Sequence, residues 1–188
     1  LIIPMVMIGV GLAWGASATA EDEERGTADL LFALPITRSK ILWSRLIAMI
    51  SALALLAVIN FVNLIIGAKF VDMTLDASNL AAGSLGCLLI GILFASFGAL
   101  FGAISGRKGA SLGIGSGFAI LFYVFYTLTA IVDKFDFVKP VNPFQWLIEA
   151  NQLMAGFNWG TNLRFFGLSA IAAITASWII DRRDIHAS

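Results

Sequence analysis

The most charged run of the chain is Glu21 to Lys40, which holds 8 of the 24 charged residues. His186 is the only histidine and lies in the charged tail. The chain therefore lacks the histidines that a histidine-based metal site or a catalytic triad would need. Cys87 is the only cysteine and lies in an apolar stretch, where it is expected to act as a small hydrophobe. The acidic group Glu21–Glu24 could bind a cation, although a solvated loop flank is the favoured interpretation. We therefore expect neither a catalytic centre nor a metal site in this chain.

The composition predicts that the elements holding these residues lie in a membrane. Of the 188 residues, 59% are hydrophobic and 13% are charged, and the mean hydropathy is +0.90. Soluble domains are nearer half apolar and a quarter charged, so the excess of apolar residues predicts a membrane protein. The formal net charge is zero, and no global field would attract nucleic acid.

Five stretches have about the 20 apolar residues that a helix needs to cross a bilayer. None alternates as a barrel strand does, so the fold class is expected to be all-α, a polytopic helix bundle in one transmembrane domain. The predicted spans are residues 1–20, 41–68, 80–105, 109–132 and 162–180.

The basic residues predict how these spans are oriented. Five spans place the loops alternately on two sides, with eight basic residues on one side and four on the other. The positive-inside rule then places residues 21–40, the 107–108 turn and the C-terminus in the cytoplasm. A cytoplasmic N-terminus would require one further span before Leu1, giving six.

Small and polar residues predict how the helices pack. Glycines recur every four residues in two stripes, which would let two neighbouring backbones approach closely as an antiparallel hairpin. The stripes are Gly98, Gly102 and Gly106, and Gly109, Gly113 and Gly117. Asn60 and Asn63 share a face of the second span, where they could form interhelical hydrogen bonds or line a polar pathway. No ionisable residue lies clearly in the middle of a span, which disfavours a proton- or ion-driven transporter.

A short helix is predicted at about residues 27–35, between the breakers Gly26 and Pro35. Thr27 is a good N-cap, and Asp29 lies in the first turn, where it complements the helix dipole. Leucine side chains form an apolar face on this helix, which is too short to span the membrane. They are Leu30, Leu31 and Leu34. The helix would either lie flat on the membrane or dock into a groove of a partner.

This segment resembles the coupling-helix region of permeases of ATP-binding-cassette (ABC) transporters of the type-2 exporter class. The resemblance rests on acidic residues, then Gly-Thr, an acidic residue, Leu-Leu, and Pro-Ile-Thr-Arg before the next span. The matching residues include Glu24, Gly26, Thr27, Asp29, Leu30, Leu31, Pro35 and Arg38. Asp29 stands where glutamate is more usual, and Ser44-Arg45 replaces Gly-Lys.

The resemblance extends to the end of the chain. Asn142-Pro143-Phe144 and the following residues, to about 155, are similar to the outer re-entrant helix of this family. Asn142 would be the N-cap, Pro143 the first helical residue, and Gln145 could complete a capping box. The tail Asp181–Ile185 also looks like the usual cytoplasmic ending. The resemblance thus covers nearly the whole chain and lacks only the first span and any amphipathic helix before it.

The resemblance implies a permease subunit in a prokaryotic cell membrane, paired with a second permease, identical or paralogous. Two cytosolic ABC ATPase subunits would bind ATP and magnesium, and the coupling helix would transmit their motion so that substrate leaves outward. No cofactor is expected in this chain itself. A P-loop needs G-x-x-x-x-G-K-[ST], and the nearest stretch, Gly102–Ser111, misses that spacing.

Two other classes of function stay open at this point. A channel or assembly scaffold without an ATPase partner would share the same spans. A membrane enzyme would need clustered polar residues at one depth, and the sequence lacks such a cluster. The residues do not identify the substrate.

Overall fold

The computed structural model describes residues 2–24, 37–70 and 76–182, which are helical almost throughout. The α-helices are α1 (Ile2–Glu24), α2 (Arg38–Phe70), α3 (Ala77–Ser105), α4 (Lys108–Thr129), α5 (Pro143–Glu149), α6 (Gln152–Ala155) and α7 (Trp159–Arg182). A 3-10 helix, Asp133–Val141, connects α4 to α5. Helices α1, α2, α3, α4 and α7 are long and apolar enough to cross a membrane. This confirms the predicted polytopic all-α bundle.

Four of the five spanning helices are longer than the apolar stretches that predicted them, and α4, with 22 residues, is slightly shorter. α1 continues past residue 20 to Glu24, and the last span begins at Trp159 rather than at residue 162. α2 has 33 residues and is about 50 Å long, against a hydrocarbon layer of about 30 Å. Hydropathy locates the part of a helix that lies in lipid, but the backbone continues as a helix into the polar layer until a breaker ends it.

Antiparallel passes create two ends of the bundle. The Glu24 end contains the end of α1 and the starts of α2 and α4. The opposite end, which we call the Asn142 end, contains the 3-10 helix, α5 and α6. α3 runs through the centre of the bundle, and 56% of the residues in its most apolar stretch are buried. In α4 only 11% of the corresponding residues are buried. The bundle is therefore organised around α3, and α4 lies at its edge.

Close backbone contact joins α1 to α3. A Cβ atom built on Gly98 would lie 2.6 Å from the carbonyl oxygen of Leu12, and one on Gly102 would overlap the hydroxyl of Thr19. On the α1 side, a Cβ on Gly15 would lie 2.8 Å from the carbonyl carbon of Ala95. Small residues on both helices are thus required by a contact in which the two backbones touch.

The predicted pairing of the two glycine stripes is wrong. Gly98 and Gly102 pack against α1, whereas Cβ atoms on Gly109, Gly113 and Gly117 would meet none of the described residues within 4 Å. α4 contacts its neighbours through a different face, on which Ser111 Oγ donates a 2.7 Å hydrogen bond to the carbonyl of Gly98. A stripe of glycines identifies a smooth face, but the surrounding helices determine what covers it.

Gly106 ends α3 instead of extending the first stripe. Its φ of 64° is left-handed, a conformation that glycine adopts without steric cost. Its N–H donates to the carbonyl of Gly102 at 2.9 Å, which is a common way for a helix to end. The turn to α4 therefore depends on Gly106.

Candidate functional site

Charged residues connect α1, α2 and α4 at the Glu24 end. Arg45 Nη1 lies 2.5 Å from Asp22 Oδ2 and also donates to the carbonyl of Ala18 at 3.2 Å. Lys108 donates its backbone N–H to Glu24 Oε2 at 3.1 Å, and its Nζ lies 3.4 Å from Glu21 Oε2. We call Glu21, Asp22, Glu24, Arg45 and Lys108 the charged junction.

Helix dipoles explain why the charged junction forms. Carboxylates in the last turn of a helix face its partial negative charge, which is unfavourable. Arg45 offsets this for Asp22, and the N-terminus of α4 provides Glu24 with a partial positive charge and an unpaired N–H. Glu21–Glu24 therefore belong to α1, and their interpretation as a loop flank is wrong.

The charged junction holds both flanks of residues 25–36. α1 ends at Glu24 and α2 begins at Arg38, so a displacement of the intervening segment would act on two helices that Asp22 and Arg45 connect. Most of the predicted coupling residues lie outside the described residues, and of Arg38 only the backbone is described. They are Gly26, Thr27, Asp29, Leu30, Leu31, Leu34 and Pro35. Their role stays a prediction.

Asn142 anchors the structure at the opposite end. Its Oδ1 accepts from the Phe144 N–H at 3.0 Å, which confirms the predicted N-cap, with Pro143 in the first turn. Its Nδ2 donates to the carbonyl of Phe122 at 2.9 Å, which connects α5 to α4. The predicted capping box is wrong, because Gln145 instead pairs with Thr129 and Glu149.

The predicted continuous helix at 143–155 is also wrong, because the structure divides it in two. α5 ends at Glu149, and Asn151 has a left-handed φ of 41° before α6 begins. Asparagine tolerates this conformation better than most residues. The break redirects the chain so that Gln152 is buried and its Nε2 donates to Asn162 Oδ1 at 2.8 Å.

One ion pair lies on the 3-10 helix. Lys139 Nζ is 2.8 Å from Asp136 Oδ1, and this hydrogen bond raises the pKa of Lys139 above its ordinary value. A raised lysine pKa keeps the pair intact at neutral pH, and the interaction is lost only as strongly alkaline pH deprotonates the amine. The side chains of Lys139 and Asp136 are 34% and 49% exposed, so the pair is a surface feature.

A cavity of about 360 Å³ lies at the Asn142 end, bordered by α1, α2, α3, α4 and the residues from α5 to α6. Its polar lining includes Asn60, Tyr126 and Gln152. Asn60 is buried and donates to Ser84 Oγ at 3.1 Å, so it forms the interhelical bond that was one of its two predicted roles. Asn63 is exposed and does not line the cavity, so the two asparagines do not act together.

Sequence reasoning missed Tyr126 and Gln152 as residues that line this cavity, and Asn162 as the hydrogen-bond partner of Gln152. Tyr126 and Asn162 lie near the ends of predicted spans, as many interfacial residues do, and nothing distinguished Gln152 within the predicted 143–155 helix. The break at Asn151, which brings Gln152 to Asn162, leaves no recognisable pattern.

The cap at Asn142 leads to a prediction. Asn142→Ala removes an N-cap worth about 1 kcal/mol and a second hydrogen bond of similar size, so it should destabilise the protein by about 2 kcal/mol. We expect the melting temperature of the chain in detergent to fall by about 6 °C.

Asn158→Ala is the matched control. Asn158 accepts a single hydrogen bond, from the Thr161 N–H at 3.0 Å, and is exposed, so the decrease should be clearly smaller. Equal decreases for the two variants would show that the bond from Asn142 to α4 contributes nothing.

Within the described residues, α3 and the four other helices long enough to cross a membrane, which pack around it, define a multi-pass helical membrane protein. The chain belongs to the family described as ABC-2 family transporter protein, whose sequence pattern matches residues 1–182. A search of curated proteins found no match. Family membership assigns the chain a permease role, as a transport subunit of the membrane rather than an enzyme. The suspected resemblance to ABC-2 permeases is thereby confirmed.

Proposed function

We propose that this chain is the membrane-spanning permease subunit of an ATP-driven exporter, which moves its substrate outward. Separate cytosolic ABC ATPase subunits bind ATP and magnesium, and the hydrolysis of ATP there supplies the energy. A second permease subunit, identical or paralogous, completes the transporter. Residues 21–40 and the C-terminus face the cytoplasm, so the Glu24 end is the inner end and the cavity lies toward the outside.

The observation that carries this proposal is the charged junction. It connects the two helices that flank residues 25–36. In that segment we predict a helix with an apolar face that is too short to cross the membrane. A partner that binds this helix and moves would displace α1 and α2 together. Because α1 contacts α3 backbone to backbone, the displacement would then reach the centre of the bundle.

Association with an ATPase tests the proposal. The double substitution Leu30→Asp and Leu31→Asp places two charges on the predicted docking face. We expect the ATPase subunits to co-purify with the wild-type chain and to be lost from this variant, because a carboxylate in an apolar contact is left without a partner.

The control adds the same two charges at the other end of the bundle. Phe137→Asp and Val141→Asp alter side chains that are 73% and 60% exposed on the 3-10 helix, and the ATPase should remain bound. Retention of the ATPase by the Leu30/Leu31 variant would contradict the proposed coupling site. A wild-type chain that co-purifies with no ATPase would favour the channel or scaffold.

A further inference from the structure

A second cavity, of about 510 Å³, lies between α1 and α2 at the Glu24 end. Three residues of the charged junction line it, namely Glu21, Asp22 and Arg45. The side chains of Glu21 and Asp22 are each 25% exposed, and that of Arg45 is 31% exposed. A molecule in this cavity can therefore reach charged groups of both signs.

Arg45 has donors to spare for a ligand. Its contacts with Asp22 Oδ2 and with the carbonyl of Ala18 both use Nη1. A guanidinium carries five N–H donors in a fixed fork, so those on Nε and Nη2 remain for a further acceptor. A phosphate group fits such a fork, because two of its oxygens can accept hydrogen bonds at once.

The charges of the lining favour a ligand that is zwitterionic. Glu21 and Asp22 would repel a group with only negative charge, and Arg45 would repel one with only positive charge. A phosphate next to a primary ammonium matches both signs. A carboxylate can accept about four hydrogen bonds, so Glu21 can accept one from an ammonium in addition to its contact with Lys108.

The cavity extends from the polar end of two spans into their apolar part. On α1 its lining runs from Asp22, where the span ends, to Trp14, about 12 Å further along the helix axis. On α2 it runs from Arg45 to Ala52, about 10 Å. The polar layer of a bilayer is only about 5–7 Å thick on each side, so the far part of the cavity is level with the lipid chains.

We propose that this cavity binds a phospholipid with an ethanolamine head, from the leaflet at the Glu24 end. The phosphate accepts hydrogen bonds from Arg45, the ammonium lies beside the two carboxylates, and a lipid chain lies along Trp14 and Ala52. Small side chains on α2 leave room for it, since Ala48 and Ala52 line the cavity and Ala48 is exposed. This site does not depend on an ATPase partner.

The test titrates radiolabelled dioleoyl phosphatidylethanolamine onto the full chain in dodecylmaltoside micelles, with protein-free micelles subtracted. Three dioleoyl lipids serve as comparison ligands. Phosphatidylglycerol carries only the negative charge, trimethylammonium-propane carries only the positive charge, and phosphatidylcholine carries both but has no N–H donor. We expect saturable binding of the ethanolamine lipid at one site per chain. The two singly charged lipids should bind about tenfold more weakly, equivalent to about 1.4 kcal/mol, and phosphatidylcholine about fivefold more weakly.

Variants separate this site from ordinary lipid contact. Ala48→Trp fills the cavity from an exposed position, so it leaves the core intact and should weaken binding of the ethanolamine lipid about tenfold. Ala110→Trp is the matched control, since Ala110 is exposed at the same end, on α4, and does not line the cavity. Arg45→Gln should abolish the preference for the ethanolamine lipid over the cationic lipid, because no cation in the lining then repels the latter.

Four results would each overturn the proposal. The first is no saturable binding of the ethanolamine lipid, and the second is equal binding of that lipid and any comparison lipid. The third is wild-type binding by Ala48→Trp. The fourth is displacement of the lipid by excess glycerophosphoethanolamine, which would identify a soluble ligand instead. These measurements contain no ATPase, so the failure of this proposal is distinguishable from the failure of the proposed transport function.

Discussion

Gly15→Ala is expected to lower the melting temperature of the purified chain by about 5 °C or more, although it adds a single methyl group. The added Cβ would overlap the carbonyl oxygen of Ala95 and lie 3.0 Å from the backbone nitrogen of Ala99. Backbone atoms cannot rotate away as a flexible side chain can, so α1 must move off α3. Overpacking of this kind costs about 1–3 kcal/mol, and each kcal/mol corresponds to about 2–4 °C in a protein of this size.

Gly9→Ala provides a control within the same helix. A Cβ on Gly9 would meet nothing within 4 Å, and alanine is favoured over glycine in a helix by up to about 1 kcal/mol. This variant should melt at or slightly above the wild-type temperature. Thermal unfolding in one detergent, followed by circular dichroism, compares the two directly. A similar effect of both substitutions would show that α1 does not pack on α3 as described.

Arg45→Glu is expected to reduce substrate transport about tenfold while the ATPase subunits stay bound. The substitution places a third carboxylate beside Asp22 and Glu21 at the C-terminal end of α1, where the helix dipole is also negative. It also removes the donor to the carbonyl of Ala18. α1 and α2 would then separate at the Glu24 end, and motion of residues 25–36 would not be passed on.

The charge exchange Asp22→Arg with Arg45→Asp should recover most of the lost transport, because it restores an ion pair between the same helices. Lys139→Glu breaks the exposed pair with Asp136 at the other end and should transport normally. Transport and ATP hydrolysis would be measured on the assembled transporter in liposomes. Normal transport by Arg45→Glu, or no recovery by the exchange, would mean that this ion pair has no part in coupling.

Much of the architecture was predictable because it depends on properties that add up along the chain. Apolar length located all five spanning helices, and Asn142 followed by Pro143 located the start of α5. The acidic residues were more difficult. Their polarity indicated a loop, but glutamate is a good helix former, and Arg45 with the start of α4 supplies the opposite charge that extends α1 to Glu24.

The features that depend on distant neighbours were not predictable in the same way. Gly102 and Gly113 occupy equivalent positions in two similar stripes, yet one contacts Thr19 closely and the other meets nothing within 4 Å. Asn60 and Asn63 lie one turn apart, yet among the described residues only Asn60 has a side-chain hydrogen-bond partner, Ser84.

The sequence by itself determined the class of this protein: a chain whose apolar helices cross a membrane, with its most charged segment between the first two spans. Only the tertiary structure decided that α1 covers the glycines of α3, that Arg45 connects α1 to α2, and that a break at Asn151 buries Gln152 beside a cavity. Hydropathy is a property of single residues and can be summed along the chain. Which helix faces pack against each other depends on the contacts that all the helices make together, so it is decided only in the packed structure.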